Sequence, residues 1–308
     1  MNRKWFLRLG RRWQLMLFFL PSLVYLLVFC YYPMAGVQIA FRDYNPVGGI
    51  FHSPWVGLKH FRRFFQSFQF ARVLGNTLKI SFYSLLVSFP LTLAAALAIN
   101  LVRSARWKKA VQTVTYMPHF ISTVVLVGML TQLLNPVVGL YGNLYRLLGG
   151  EGYPPDILGK SGAFVHLYTW SGVWQNLGWS TIIYLACLAG VDPELHEAAQ
   201  IDGATRLRRV IHIDFPALLP TASIMLIMGA GSIMNVGFEK AYLMQNSMNL
   251  AASEIIATYV YKVGMSGGFT QFSYASAIGL FNSLINCAML VLFNGLSRRF
   301  GQDGGSLF

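Results

Sequence analysis

Charged side chains are scarce in this sequence. Only 11% of its 308 residues are Asp, Glu, Lys or Arg, whereas a soluble domain carries about 25% on average. Hydrophobic residues make up 55%, and the mean hydropathy is +0.50, so the polar residues are too few to cover a core of this size with a hydrated surface. We therefore exclude a secreted, cytosolic or nuclear protein.

Cysteine and histidine are too few and too scattered for several kinds of site. Cys30, Cys187 and Cys287 can form neither a disulfide framework nor a zinc site. None of the six histidines has a second histidine four residues away, which argues against a helical metalloprotease site. No histidine follows His212, so an intramembrane serine protease would lack its base on a late helix.

Acidic residues are outnumbered by basic ones. The sequence has 11 Asp and Glu against 24 Lys and Arg, which gives a formal net charge of +13. Many of the basic residues flank apolar runs, where anionic lipid headgroups and the positive-inside bias account for them. We therefore expect membrane lipids, and not nucleic acid, as the partners of this charge.

Six long apolar runs contain no Asp, Glu, Lys or Arg. Each is about 20 residues or longer, the length of helix that crosses a hydrocarbon core of about 30 Å. The sequence therefore predicts an all-α, polytopic membrane protein with six transmembrane helices. Their predicted positions are residues 13–33, 80–101, 111–134, 163–188, 215–236 and 274–297.

The basic residues also predict the orientation. If the basic tail at residues 1–12 is cytoplasmic, the inner segments hold 14 Lys and Arg and the outer segments hold 10. This bias places both termini in the cytoplasm, including the end of the last helix and the tail at residues 289–308. Residues 34–71 then form an extracytoplasmic loop, in which Trp55 to Phe65 predict a short amphipathic helix at the lipid interface.

One polar segment, residues 191–216, holds 8 of the 35 charged residues. Asp192 can cap a helix that begins at the next residue, a proline. Gly203 allows a sharp turn, because glycine tolerates positive φ. A second short helix would follow, limited by Pro216 and Pro220. We expect a helix–turn–helix at the cytoplasmic face.

Within this segment the sequence reads Glu197-Ala198-Ala199-x-x-Asp202-Gly203-Ala204. Eight residues later follows Ile213-x-Phe215-Pro216, so nine residues separate Gly203 from Ile213. The pattern resembles the EAA loop of permease subunits in binding-protein-dependent ABC importers, with Phe215 where Leu is usual. Other words are similar to those of polysaccharide and oligosaccharide permeases of the maltose-type branch: Tyr31-Tyr32-Pro33-Met34, Phe41-Arg42-Asp43-Tyr44-Asn45-Pro46, Ser53-Pro54-Trp55-Val56-Gly57, Asn76-Thr77-Leu78 and Tyr116-Met117-Pro118-His119.

The resemblance implies the ABC type I importer permease fold, with a permease core at residues 72–288 and the coupling loop at 191–216. In that fold two six-span subunits form the pathway, and each EAA loop docks as a coupling helix onto an ATP-binding subunit. The implied docking residues are Glu197, Ala198, Ala199, Asp202, Gly203 and Ala204. The residues implied to anchor the loop against the fifth span are Ile213, Phe215 and Pro216.

The resemblance also implies the partners and the location. These are a second EAA-type permease subunit in a heterodimer, two ABC ATPase subunits and an extracytoplasmic solute-binding lipoprotein, in a prokaryotic cell membrane. We expect the chain to be no enzyme and to bind no metal or cofactor, with ATP and Mg²⁺ in the partner ATPase subunits. Gly159-Lys160-Ser161 imitates the end of a phosphate-binding loop, but Pro154 stands where that loop requires glycine.

Two groups of side chains are candidates for sugar binding, since aromatic faces and a few placed polar groups line many ligand sites. They are Trp170, Trp174, Gln175 and Trp179 on the fourth span, and Asn235 and Glu239 at the outer end of the fifth. The alternative for the tryptophans is a belt at the membrane interface.

The sequence thus predicts a permease subunit that couples ATP hydrolysis in partner subunits to the import of oligosaccharides or polysaccharide fragments. The alternative is a stand-alone six-span secondary transporter or channel. Such a protein would need acidic or basic residues within its spans for ion coupling. The six spans contain almost none.

Overall fold

The described part of the chain is helical. A computed structural model describes residues 13–266 and 271–300, so the predicted tails at 1–12 and beyond residue 300 lie outside it. Within those ranges there is no strand, and the single β-bridge joins Arg42 to Trp55. The predicted all-α class is confirmed.

The helices are numbered in chain order through the described ranges. They are α1 (Trp13–Tyr25), α2 (Tyr32–Met34), α3 (Gly49–His52), α4 (Lys59–Phe65), α5 (Phe68–Asn100), α6 (Ala105–Tyr116), α7 (Thr123–Leu133), α8 (Leu140–Leu147), α9 (Ser161–Ala189), α10 (Pro193–Ile201), α11 (Arg206–Arg209), α12 (Phe215–Gly231), α13 (Phe238–Met244), α14 (Leu250–Ser253), α15 (Ile256–Tyr261) and α16 (Phe272–Phe300). Wider π turns occur at Leu26–Tyr31, Val210–Asp214 and Lys262–Ser266, and 3-10 turns at Ala35–Phe41 and Met117–Phe120.

The described residues divide into two compact units: residues 13–66 with 262–266 and 271–280, and residues 67–261 with 281–300. In the first unit, the helix from Met16 to Phe41 extends past the predicted span, and none of its most apolar stretch is buried. A helix that is apolar all round suits contact with lipid.

The α4 helix of the first unit lies in the segment predicted to be amphipathic. Its buried face consists of His60, Phe61 and Phe64. Phe61 belongs to a small core cluster with Ala40 and Ala277, whose short side chains leave room for the ring. The apolar face of α4 is therefore covered by protein, whereas the sequence analysis expected lipid there.

The loop before α4 is tied to that helix by charge. Lys59 Nζ donates to Asp43 Oδ2 at 2.6 Å, and His60 Nε2 lies 3.0 Å from Asp43 Oδ1. The Lys59 hydrogen bond lowers the pKa of Asp43 below its ordinary value. The carboxylate thus stays ionised and holds both side chains.

In the second unit, α5 and α9 pack along each other and carry the core. One cluster of buried side chains comprises Ile80, Val127, Phe164, Val165, Val236, Ala241, Met244 and Ile255. Another comprises Leu93, Ala96, Tyr184, Leu188, Leu218 and Ala222. The two clusters hold α5 against α9 at separate positions along their length. The two helices can therefore form the walls of a cavity that lies between the clusters.

Among the described residues, four helical segments are long and apolar enough to cross a membrane: Met16–Phe41, Phe68–Asn100, Arg206–Gly231 and Phe272–Gly295. A bent pair gives a fifth if it is counted as one span. The α9 helix has 29 residues and reaches about 43 Å at 1.5 Å per residue, but its polar side chains lower its hydropathy. The count of six spans therefore stays a prediction.

The third predicted span, residues 111–134, is not a straight helix. Its two parts, Ala105–Phe120 and Thr123–Leu133, meet at an angle of 95°. Ser122 starts the second part, because its side chain accepts a hydrogen bond from Val125 N. The carbonyl of Ile121, at the break, accepts from the Gln175 amide at 2.7 Å.

The fifth predicted span, residues 215–236, is shifted along the chain. The helix runs without interruption from Arg206 to Gly231, so Pro216 does not limit the second helix of the polar segment as expected. The reason is the π turn: Phe215 N bonds to Val210 O, five residues back, so the register has changed before the proline whose N–H is missing.

The close approach of α9 to α6 in the second unit predicts a steric effect. A Cβ added at Gly178 on α9 would overlap the carbonyl oxygen of Thr115 on α6, whereas a Cβ at Gly162 on the same helix would meet nothing within 4 Å. We expect Gly178→Ala to destabilise the purified protein by about 1–3 kcal/mol through overpacking, and Gly162→Ala to have no such cost. Thermal unfolding in detergent measures both. Equal melting temperatures for the two variants would contradict the close approach.

Candidate functional site

The polar segment at 191–216 folds as a capped helix, a turn and a second helix. Asp192 caps α10 by accepting from Glu194 N at 3.0 Å. Gly203 then adopts φ of +74°, and Ala204 N donates to Ala199 O at 2.8 Å, which closes the last turn. The helix–turn–helix predicted from the sequence is confirmed.

The segment presents both polar and apolar side chains outward. Glu197, Ala198, Asp202 and Gly203 are exposed, and Ala199 and Ala204 are half-buried. Apolar side chains of the same segment are also exposed: 88% for Ile201, 67% for Leu207 and 54% for Leu195. The sequence analysis missed these three residues, although three aliphatic side chains in a charged segment are a signal for a covered surface.

A contact between two polar side chains joins the two halves of the segment. His196 Nε2 on α10 lies 3.4 Å from Asp214 Oδ1, and Asp214 is 3% exposed. Of the residues expected to anchor the loop, Ile213 is half-buried, while Phe215 and Pro216 are exposed. The imidazole of His196 therefore faces the buried carboxylate and brings α10 close to the following helix.

A groove lined by hydroxyl groups runs between α5 and α9. It consists of three neighbouring cavities of about 640, 290 and 210 Å³, and Ser88 lines all three. Further lining residues on α5 are Ser81, Ser84 and Thr92, and those on α9 include Thr169, Gly172, Asn176 and Ser180. Their spacing of three or four residues places each set on one helix face. The largest cavity has the size of a small-molecule site.

The predicted sugar-binding residues fall into two groups. Gln175, Trp179 and Asn235 line this groove. The other three do not line these cavities: Trp170 and Trp174 are half-exposed, and Glu239 is exposed. The hydroxyl groups of α5 also line the groove, and they were not predicted from the sequence. Their regular spacing in an apolar helix was the signal that could have identified them.

Each of the three lining residues is already held by a neighbour. Gln175 supports the broken helix described above, and the Trp179 ring stacks on the His119 ring with 4.4 Å between centroids. Asn235 Oδ1 accepts from Asn286 Nδ2 at 2.8 Å. These contacts fix the shape of the groove.

The described residues offer little for catalysis. In the ranges 13–266 and 271–300, no group of three or more His, Cys, Asp or Glu side chains could hold a metal ion. What the arrangement can do is bind a hydroxylated molecule between helices and present an outward-facing loop to another surface.

Comparisons with known proteins agree on the family. A family model described as "Binding-protein-dependent transport system inner membrane component" matches residues 88–302, more than half of the chain. The chain is 42% identical over 303 residues to the polygalacturonan/rhamnogalacturonan transport system permease protein YteP of Bacillus subtilis, covering 98% of this chain and 93% of that one. It is 40% identical over 300 residues to the protein LplB of the same organism, covering 97% and 93%.

A solved structure shows the same fold. The chain superposes with a TM-score of 0.88 and 35% identity on a chain in the crystal structure of a bacterial ABC transporter involved in the import of the acidic polysaccharide alginate. The match covers 98% of this chain and 100% of that one, which confirms the ABC importer permease fold. The chain belongs to the family of binding-protein-dependent transport system inner membrane components, and it is a multi-pass permease subunit of an ABC transporter, not an enzyme.

Proposed function

We propose that this chain is the transmembrane subunit of an ATP-driven importer of oligosaccharides or polysaccharide fragments. Two relatives support a sugar substrate through their names: one transports polygalacturonan and rhamnogalacturonan, the other takes part in alginate import. The groove between α5 and α9 supports it independently, because hydroxyl groups along a path can exchange hydrogen bonds with the hydroxyls of a sugar.

The observation that carries the proposal is that the loop at 191–216 is held to the following helix on one side and exposes apolar side chains on the other. His196 lies beside the buried Asp214, while Ile201 is 88% exposed. An aliphatic side chain held rigidly in water is disfavoured unless a partner covers it. We propose that an ABC ATPase subunit is this partner, with Glu197 and Asp202 as polar contacts beside it and Gly203 as the turn.

The mechanism follows from the rigid connection. The helix that begins at Arg206 continues through the π turn to Gly231, and the upper part of this helix lines the groove through Gly229. A displacement of the docked loop, driven by ATP-dependent closure of two ATPase subunits, would therefore move a wall of the groove. Such a two-state element, biased from both ends, is what alternating access requires.

The remaining partners and the orientation belong to the same proposal. A second EAA-type permease subunit would complete the pathway as a heterodimer, and a solute-binding lipoprotein would deliver the sugar outside. One solved relative was crystallised with an alginate pentasaccharide-bound periplasmic protein, which supports this delivery. We propose that both termini lie in the cytoplasm, and that ATP and Mg²⁺ are bound by the ATPase subunits of the prokaryotic membrane complex.

A stand-alone secondary transporter is the competing function. It would need ionisable groups within the spans for ion coupling. It would not need a loop with exposed apolar side chains. The two functions differ in one requirement, which is the attachment of a nucleotide hydrolase to α10.

The first prediction concerns docking. Ile201→Asp should reduce copurification of the ATPase subunits by about tenfold or more and abolish import, because a buried apolar contact becomes a desolvated charge. The subunit should still insert and unfold at the wild-type temperature, since the side chain is exposed within this chain. Val47→Asp, at a residue that is 95% exposed elsewhere, is the matched control and should keep the ATPase subunits bound. Wild-type attachment and import in Ile201→Asp would contradict docking at α10.

The second prediction concerns the groove. Ser88→Phe places a ring where three cavities meet, so uptake of oligosaccharides should fall to the level of cells without the transporter. Leu86→Phe on the same helix is the control, because Leu86 is 60% exposed and should keep its rate. ATPase subunits should copurify with both variants. If Ser88→Phe imported sugar at the wild-type rate, the groove would not be the path.

A further inference from the structure

Lys240 on α13 is a buried cation, and no acidic group in the described part of the chain forms an ion pair with it. Its side chain is 8% exposed. The ion pairs found among residues 13–266 and 271–300 do not include it, and its neighbour Glu239 is exposed and makes no ion pair with it. A buried ammonium is costly unless it is paired and hydrogen-bonded, so this residue requires an explanation.

The contacts of the ammonium leave hydrogen-bonding capacity unused. Lys240 Nζ donates to the backbone oxygen of Tyr168 at 2.8 Å and lies 4.8 Å from the centroid of the Tyr168 ring. An ammonium has three N–H donors, and the described residues provide no second acceptor. Gly172 keeps the space beside it open, because a Cβ there would lie 3.2 Å from Nζ.

The free side of the ammonium faces the groove. Lys240 lines the cavity of about 290 Å³, together with Ser84, Thr169 and Asn176, which carry hydroxyl and amide groups. The other described residues that line the three cavities are uncharged. The arrangement is thus a single positive charge surrounded by neutral groups that suit a sugar.

We propose that Lys240 binds the carboxylate of an anionic sugar, and that the transported oligosaccharides contain uronic acids. The inference rests on the proposed function, in which the groove carries an oligosaccharide. A carboxylate would supply the missing counter-charge and accept from the unused N–H groups, while the neutral groups around it bind ring hydroxyls. A neutral sugar would leave the charge buried and unpaired, so the same residue discriminates against it.

The test measures direct binding to the purified transporter complex without its binding protein. The probes are trigalacturonate and its methyl ester, which share the same sugar rings but carry carboxylates in one and neutral methyl ester groups in the other. Saturation-transfer NMR at millimolar concentration detects weak binding of both. We expect the wild type to prefer the acid by about tenfold or more, the range of a charge-assisted hydrogen bond. Lys240→Gln should remove this preference, while Lys240→Arg should keep most of it.

Two controls separate the alternatives. Lys79→Gln removes the same charge at an exposed position of α5 and should leave the preference unchanged. The glutamine in Lys240→Gln can still donate to Tyr168 O, so its melting temperature should match that of the wild type. Loss of both ligands with a lowered melting temperature would show that Lys240 only ties α13 to α9, and would overturn the proposal.

The failure of this inference differs from a failure of the proposed function. If the wild-type complex imported neutral oligosaccharides and bound both probes equally, or neither, Lys240 would not be an acid-binding residue, but the sugar importer would stand. If the complex imported no oligosaccharide at all, the proposed function itself would be wrong.

Discussion

The interior of a lipid bilayer offers no hydrogen bonds, and this constraint governs where polar groups occur in the protein. Several hydroxyl groups on α5 and α9 form hydrogen bonds within the protein. Thr92 Oγ1 donates to Ser88 O four residues back, and Ser84 Oγ and Thr169 Oγ1 bond to each other across the groove at 2.9 Å. Polar side chains placed on facing helices therefore do not destabilise the bundle, and together they form a path on which a hydroxylated molecule can replace water.

The same constraint explains how the helices associate. Lipid chains are as apolar as leucine, so the helices gain little from hydrophobic burial and must pack by close approach. Gly178 provides that approach at the backbone of Thr115. Polar contacts hold the irregular segments: Gln175 binds the broken helix at Ile121, and Asn286 Oδ1 accepts from Met234 N where the helix ending at Gly231 has unwound. Irregular backbone at these positions lies beside the groove, where protein groups satisfy it.

Outside the apolar region, apolar side chains are exposed instead of polar ones being buried. In the loop at 191–216 the side chain of Asp192 caps α10 and His196 lies beside the buried Asp214, whereas Ile201, Leu207 and Leu195 are exposed. A loop stabilised in this way does not need its aliphatic residues for its own fold. The loop is joined to the long helix that ends at Gly231, so a displacement of the loop can be transmitted along that helix.

Local signals predicted much of this structure, and long-range contacts account for what they missed. The cap at Asp192 and the turn at Gly203 depend on neighbouring residues, so the sequence predicted both correctly. The break at Ile121 depends on Gln175, which is more than 50 residues away in the sequence. The helix continues past Pro216 because of a π turn, which no residue pattern predicts. Lys240 was missed for the same reason: its isolation from acidic groups is a property of the folded chain.

The central claim is that the loop at 191–216 lies in the cytoplasm and touches a nucleotide hydrolase. The direct measurement is site-specific crosslinking in membranes with a cysteine in place of the exposed Ala198, in a background where Cys30, Cys187 and Cys287 are replaced by serine. The account predicts a crosslink to the ATPase subunit and protection from a membrane-impermeant thiol reagent added outside intact cells. Labelling of Ala198→Cys from the outside, without a crosslink to any ATPase, would contradict it.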